Sequence, residues 1–270
     1  MYYIEHTVKS FDGTPLYVRE SGEKDRPLLL LIHGGSTDAD FYVNCGETLS
    51  RQFHVIAYDR RGHVRSGLTA GTKGPGEATK ADKDYLKDIC DIHMRDAAFL
   101  IEYYSNEIDK AMGAYVITHS LGGPVGFELI TKYPQLVRRM LSYEPAWEGK
   151  RTLSHGIRAV LPPIIFADER GPIPDPEVIE NIAPDKEMMT KFDWKLIAFY
   201  KRPVEALRDK PLLFAVGEQS KGRIIYEETV ALAKELGKPL FYHPGVHNTG
   251  FNLPKEFAYL CVGALLDPEA

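Results

Sequence analysis

Apolar and polar residues alternate along residues 2 to 9 and again along 15 to 19, on either side of Asp12-Gly13. A period of two marks strands with one buried face, and an Asp-Gly dipeptide between two such runs predicts an antiparallel hairpin at a sheet edge. The pattern then changes to short, uninterrupted apolar runs: Leu28 to Ile32, Val55 to Tyr58, Ala114 to Ile117, Met140 to Tyr143, Leu212 to Val216 and Leu240 to Tyr242. Strands of this kind have both faces covered, as in a parallel sheet packed between helices. Asp84 to Ile108 carries Ile89, Ile92, Ala97, Leu100, Ile101 and Tyr104 at a spacing that forms one helical stripe. Leu121 to Tyr133 and Tyr226 to Leu236 predict two more helices, the second stopped by Gly237. Strands alternating with helices make the fold class α/β.

Two segments interrupt this rhythm. Thr69 to Lys83 is polar and rich in Gly and Lys, which predicts a surface loop, and its glycines do not match a phosphate-binding GxxxxGK[ST] loop. Between Pro145 and Pro203 lie six further prolines, with short helical patterns such as Lys186 to Tyr200 among them, and this predicts a helical cap inserted between two strands. The expected organisation is a core whose first part is residues 1–145, a lid at 146–205 and a second core part at 206–270. A chain of 270 residues suits one large sheet with an insertion of that size.

Composition removes several alternatives. A net charge of -5, spread along the chain without a basic stripe, argues against a nucleic-acid partner. No apolar run approaches the roughly 20 residues that span a bilayer, so no membrane partner is expected. Met1 to Ser10 has neither the basic nor the apolar region of a secretory signal, and Cys45, Cys90 and Cys261 are scattered and odd in number. Both features point to reduced thiols in a cytoplasm. His243 and His247 are four residues apart, but they flank a strand end and a turn rather than sharing a helix face, so no zinc or other metal site is expected. The partner that remains is a small-molecule substrate, and nothing in the pattern selects an oligomeric state.

Candidate chemistry lies at the ends of the apolar runs. Thr118-His119-Ser120-Leu121-Gly122-Gly123 follows one run and opens a helix, the strand-turn-helix setting of a nucleophile elbow. An elbow presents its serine in a tight, strained turn, so small residues must follow it, and Gly122 and Gly123 meet that need. Thr118 meets it less well, because its β-branched side chain must find room beside the next strand. The segment also reads as a glycine-rich turn with Ser120 as a mere capping residue. Ile32-His33-Gly34-Gly35 ends an earlier strand, and the amides of Gly35 and Leu121 are candidate oxyanion donors, with His33 holding the loop. His247 follows the last strand, where a general base could reach Ser120. The acid should fall between them in chain order. Glu144 is preferred, because one helical crossover should lay its strand beside that of Ser120, and Glu218 is the alternative acid. His119, beside the nucleophile, and Trp147 and Trp194 of the cap are candidates for lining the substrate pocket.

Taken in order, His33-Gly34-Gly35, Tyr58 to His63, Thr118 to Gly123 and Pro244 to His247 resemble the α/β-hydrolase superfamily across nearly the whole chain. The resemblance implies an eight-stranded, mostly parallel sheet with flanking helices, a lid after the sixth strand and cofactor-free acyl transfer. The chain departs from the usual pattern at Thr118, where Gly is common, and at Ser220, where many members carry the acid. Members that take the acid after strand six, zearalenone-type lactonases among them, are similar at Ser142-Tyr143-Glu144-Pro145. A serine hydrolase of a mostly apolar ester or lactone is therefore the expected function. The same scaffold also serves carbon-carbon bond hydrolases of diketone-type substrates and small-molecule receptors.

Overall fold

The computed structural model of the protein describes residues 3–35, 37–68, 89–146 and 200–269. The expected loop at 69–83 and nearly all of the expected lid, Trp147 and Trp194 included, lie outside the described residues.

Eight strands form one sheet: β1 (Ile4–Lys9), β2 (Pro15–Ser21), β3 (Leu28–Ile32), β4 (His54–Tyr58), β5 (Ala114–His119), β6 (Val137–Tyr143), β7 (Leu212–Gly217) and β8 (Leu240–His243). Their spatial order is β1-β2-β4-β3-β5-β6-β7-β8. β2 pairs antiparallel with both β1 and β4, and the remaining neighbours are parallel. The hairpin turns at Gly13, whose φ of 85° is left-handed, which explains why the dipeptide ends in glycine.

Among the described residues, four long helices are α1 (Ile89–Tyr104), α2 (Gly122–Lys132), α3 (Ile224–Leu236) and α4 (Pro254–Leu266). Successive side chains of a strand point to opposite faces, so each uninterrupted apolar run feeds two cores. Leu28, Leu30, Ile32, Val116 and Phe214 pack beneath Ala97 and Ile101 of α1, Val125 and Leu129 of α2 and Leu232 of α3. Leu29, Leu31, Ile117, Leu141 and Ala215 pack on the other side with Phe257, Cys261 and Leu265 of α4.

Two elements differ from the pattern reading. The predicted helix through Ile108 breaks after Tyr104, because Asn106 caps a separate short helix, Glu107–Met112, in a reciprocal capping box with Asp109. α4 carries apolar residues nearly all round, Tyr259 and Leu266 on its exposed side included, so no helical stripe announces it. Among the described residues, no helix is long and apolar enough to cross a membrane.

Candidate active site

β5 and β6 run side by side with His119 opposite Tyr143, so the next residues, Ser120 and Glu144, emerge together at the carboxyl edge of the sheet. Both leave the strand in the left-handed region, with φ of 50° at Ser120 and 39° at Glu144. Such a conformation costs a side-chain-bearing residue about 1–3 kcal/mol and persists only where its surroundings hold it. Here the Ser120 amide donates to the Tyr143 carbonyl at 3.1 Å, and the amides of Gly123 and Ala146 donate to the Ser120 carbonyl at 2.9 and 2.8 Å. The Glu144 amide donates to the Ala215 carbonyl on β7 at 3.0 Å.

The glycines after Ser120 are required by close approach. A Cβ on Gly122 would stand 2.4 Å from the Ile32 carbonyl oxygen, and one on Gly123 would stand 2.4 Å from Pro145 Cβ. Thr118 is accommodated by a third glycine, because a Cβ on Gly126 of α2 would stand 2.5 Å from Thr118 Cγ2. Its hydroxyl is satisfied by that of Ser142 across the strand pair at 2.8 Å. The substitution at the elbow is thus offset by a missing side chain on the helix that covers it.

Glu144 is fully buried and holds three donors. His247 Nδ1 lies 2.7 Å from Oε2, the Gly217 amide donates to Oε1 at 2.9 Å, and the Ser220 hydroxyl donates to Oε2 at 3.3 Å. A carboxylate can only accept, so Nδ1 of His247 carries the hydrogen and Nε2 presents its lone pair. Ser220, which follows β7, thus donates to the carboxylate that follows β6. Glu218, the alternative acid, is exposed.

The loop that carries His247 is braced from below. The Tyr143 hydroxyl donates to the Val246 carbonyl at 2.9 Å, and His119 Nε2 donates to the His247 carbonyl at 2.9 Å. Register pairs these two side chains on β6 and β5, so neighbouring carbonyls of one loop meet donors from neighbouring strands. His119 is only 2% exposed and stacks flat on Phe41, with ring centroids 4.2 Å apart. Burial first, and the nearby His247 second, hold its imidazole pKa well below the ordinary value. His119, a candidate for the pocket lining, lies beneath the loop that carries His247. His243 anchors the start of the same loop, its Nδ1 accepting from the Gly245 amide at 2.9 Å with the Thr249 hydroxyl also at 2.9 Å.

The loop after β3 faces Ser120. A Cβ on Gly34 would lie 2.9 Å from Ser120 Cβ and 2.8 Å from His119 Nδ1, so only glycine lets the main chain approach the serine this closely. Gly35 follows directly, and Leu121, which heads α2, is buried beside the elbow. His33 Nε2 accepts from the Arg60 amide at 2.8 Å, so its Nδ1 carries hydrogen and donates to the Gly34 carbonyl at 2.8 Å. Pattern reading passes over Arg60, Tyr143 and Phe41. Tyr143 and Phe41 look like ordinary core positions, and the only hint of Arg60 is its place within Tyr58 to His63. Among the described residues, no group of three or more His, Cys, Asp or Glu side chains is arranged to hold a metal ion.

A protein-family model described as serine aminopeptidase, S33, matches residues 23–213. The YraK hydrolase of Bacillus subtilis is 27% identical over 261 residues, which cover 89% of this chain and 88% of that protein. Among solved structures, a hydrolase from Pseudomonas aeruginosa PA01 is similar with a TM-score of 0.71 at 21% identity, over 97% of this chain and 98% of its own. The enol-lactonase from Burkholderia xenovorans LB400 is similar with a TM-score of 0.68 at 18% identity, over 97% of this chain and 100% of its own. None of the three is named as a zearalenone-type lactonase, and at such identities the two solved structures speak to the fold alone. With a family model matching 23–213 of 270 residues and a sheet of the order described above, the chain belongs to the serine aminopeptidase S33 family of the α/β-hydrolase superfamily and is a hydrolase.

Proposed function

We propose that the protein is a serine hydrolase of small to medium, mostly apolar esters or lactones, working through an acyl-enzyme on Ser120. His247 is its general base, Glu144 orients that base, and the amides of Gly35 and Leu121 receive the oxyanion. The single observation that carries this reading is the 2.7 Å contact between His247 Nδ1 and buried Glu144, at the edge where Ser120 stands in a left-handed turn.

The chemistry follows from these groups. Ser120 Oγ bonds to the substrate carbonyl carbon while its proton passes to His247 Nε2, and the negative charge on the carbonyl oxygen is met by the two amides. The proton then goes to the leaving alkoxide as the carbon-oxygen bond breaks. In a lactone that alkoxide stays tethered to the acyl group. Water, deprotonated by His247, attacks the acyl-enzyme, and Ser120 takes its proton back.

Labelling with a fluorophosphonate, followed by mass spectrometry, should place the phosphonyl group on Ser120, and Ser120→Ala should abolish turnover of p-nitrophenyl esters and lactones while leaving the fold intact. A label on another serine of the folded protein refutes the assignment. Turnover of a vinylogous diketone in place of the esters would move the substrate class to carbon-carbon bonds, and ligand-induced thermal shift without turnover would make the protein a receptor.

A further inference from the structure

We propose that Arg60 is a positioning residue for the oxyanion hole: its guanidinium, by holding the Gly34 carbonyl, aims the Gly35 amide at the reacting carbonyl. This inference rests on the reading of Gly35 as an oxyanion donor. The Gly34 carbonyl oxygen accepts from Arg60 Nη2 at 2.9 Å, His33 Nδ1 at 2.8 Å and the Thr37 hydroxyl at 3.3 Å. That oxygen and the Gly35 amide belong to one planar peptide unit, and the described chain has no cis peptide bond. In a trans unit the C=O and N–H point in opposite directions, so whatever pins the carbonyl also aims the amide. The carbonyl is pulled toward Arg60 and His33, and Gly34 itself lies against Ser120, with a virtual Cβ 2.9 Å from Ser120 Cβ.

Arg60 is suited to this task because it is itself held on several sides. The side chain is fully buried, with Nη2 3.1 Å from His63 Nε2 and Nη1 3.5 Å from His93 Nε2 on α1. A guanidinium can only donate, so those imidazole nitrogens face it with their lone pairs. Its planar fork reaches the Gly34 carbonyl and the histidines together, which a single ammonium cannot do. The residue acts on the same peptide twice, since its own main-chain amide fixes the tautomer of His33 at 2.8 Å. That main-chain bond survives any side-chain substitution, so changing the side chain isolates the guanidinium.

The test compares p-nitrophenyl acetate with its thiono analogue in Arg60→Lys and Arg60→Gln, two replacements of different charge in case one does not fold. A thiocarbonyl sulfur is a poor hydrogen-bond acceptor, so its hydrolysis draws little on the oxyanion hole. Misaiming one donor should lower kcat for the oxygen ester by about 10-fold or more with KM nearly unchanged, against about 10²–10³-fold for outright loss of such a donor. The thiono ester should fall by less than about threefold, so the ratio between the two narrows. An equal fall on both substrates, the mark of general damage, overturns the proposal, as does no fall on either. If the wild-type protein turns over neither ester, the ester reading fails by itself. Amide exchange over residues 32–41 then decides the present point, with faster exchange in the variants expected and unchanged exchange overturning it.

Discussion

Replacing Glu144 with Gln removes one charge and converts one acceptor oxygen into a donor, at a site where three donors converge. The amide has two ways to sit. With its oxygen toward the Gly217 amide, its NH2 group faces His247 Nδ1 at a spacing that was 2.7 Å, and the imidazole must move its hydrogen to Nε2, where it can no longer accept a proton from Ser120. With its oxygen toward His247, the NH2 group meets the Gly217 N–H at a spacing that was 2.9 Å, leaving a buried donor unsatisfied at a cost of about 1–3 kcal/mol. Neither arrangement offers a negative charge to the imidazolium that the proposed mechanism forms in the transition state. A wrong tautomer in a triad lowers kcat by about 10⁴-fold, which corresponds to about 5.4 kcal/mol of lost transition-state stabilisation. The loss in fold stability should be far smaller, about 1–3 kcal/mol, or a drop in Tm of under about 10 °C for a chain of this size. Steady-state hydrolysis of p-nitrophenyl acetate beside thermal unfolding followed by circular dichroism separates the two effects. Glu218→Gln, at an exposed position, should change kcat by less than about twofold. If Glu218→Gln abolishes turnover while Glu144→Gln is nearly silent, the orienting acid lies after β7 and the reasoning fails.

Two further outcomes follow from the packing around the site. Gly126→Ala should destabilise by about 1–3 kcal/mol through overpacking, since its Cβ would stand 2.5 Å from Thr118 Cγ2 and 3.0 Å from Met140 Sδ. Thr118→Ser removes that methyl group and keeps the hydroxyl facing Ser142, so in urea unfolding the double variant should be more stable than the sum of the singles by about 1 kcal/mol or more; additivity within about 0.5 kcal/mol contradicts the account. His243, whose pKa burial lowers from 6.5 to about 4, stays neutral in the folded protein at pH values where the unfolded chain protonates it. Its contribution is therefore complete above pH 6.5 and lost as pH falls toward about 4, by at most about 3 kcal/mol. His243→Asn should flatten that part of the stability profile, and an unchanged slope would show that other groups produce it.

The strands were legible because burial on both faces leaves an uninterrupted apolar run whatever the neighbours are, and the edge hairpin because one wet face leaves alternation. The tight turn at Ser120 was legible for a related reason: such a turn after a strand tolerates only small residues, so Gly122 and Gly123 advertise it locally. Other features depend on residues distant in the chain. Thr118 looks ill fitted to an elbow until Gly126 is seen facing it across the strand-helix packing. α4 leaves no stripe, because its exposed side is nearly as apolar as its buried one. Arg60 is charged, and charged residues are by default on the surface, so no local rule predicts one buried against a peptide carbonyl.

By itself, then, the sequence determined the fold class, the strand positions, the left-handed glycine turn and the order along the chain in which Ser120, Glu144 and His247 occur. Which carboxylate meets His247 was decided only by tertiary structure, since Glu144 and Glu218 both follow strands and both precede the histidine. The physical reason is register: β6 lies between β5 and β7 with Tyr143 opposite His119, so Glu144 turns inward under the loop that carries His247 while Glu218, one strand farther out, faces solvent. The same pairing lays His119 and Tyr143 under successive carbonyls of that loop. A hydrogen bond between residues more than a hundred positions apart leaves no periodic trace in the chain, because it depends on which strands are neighbours and on how far each has advanced when its sheet ends.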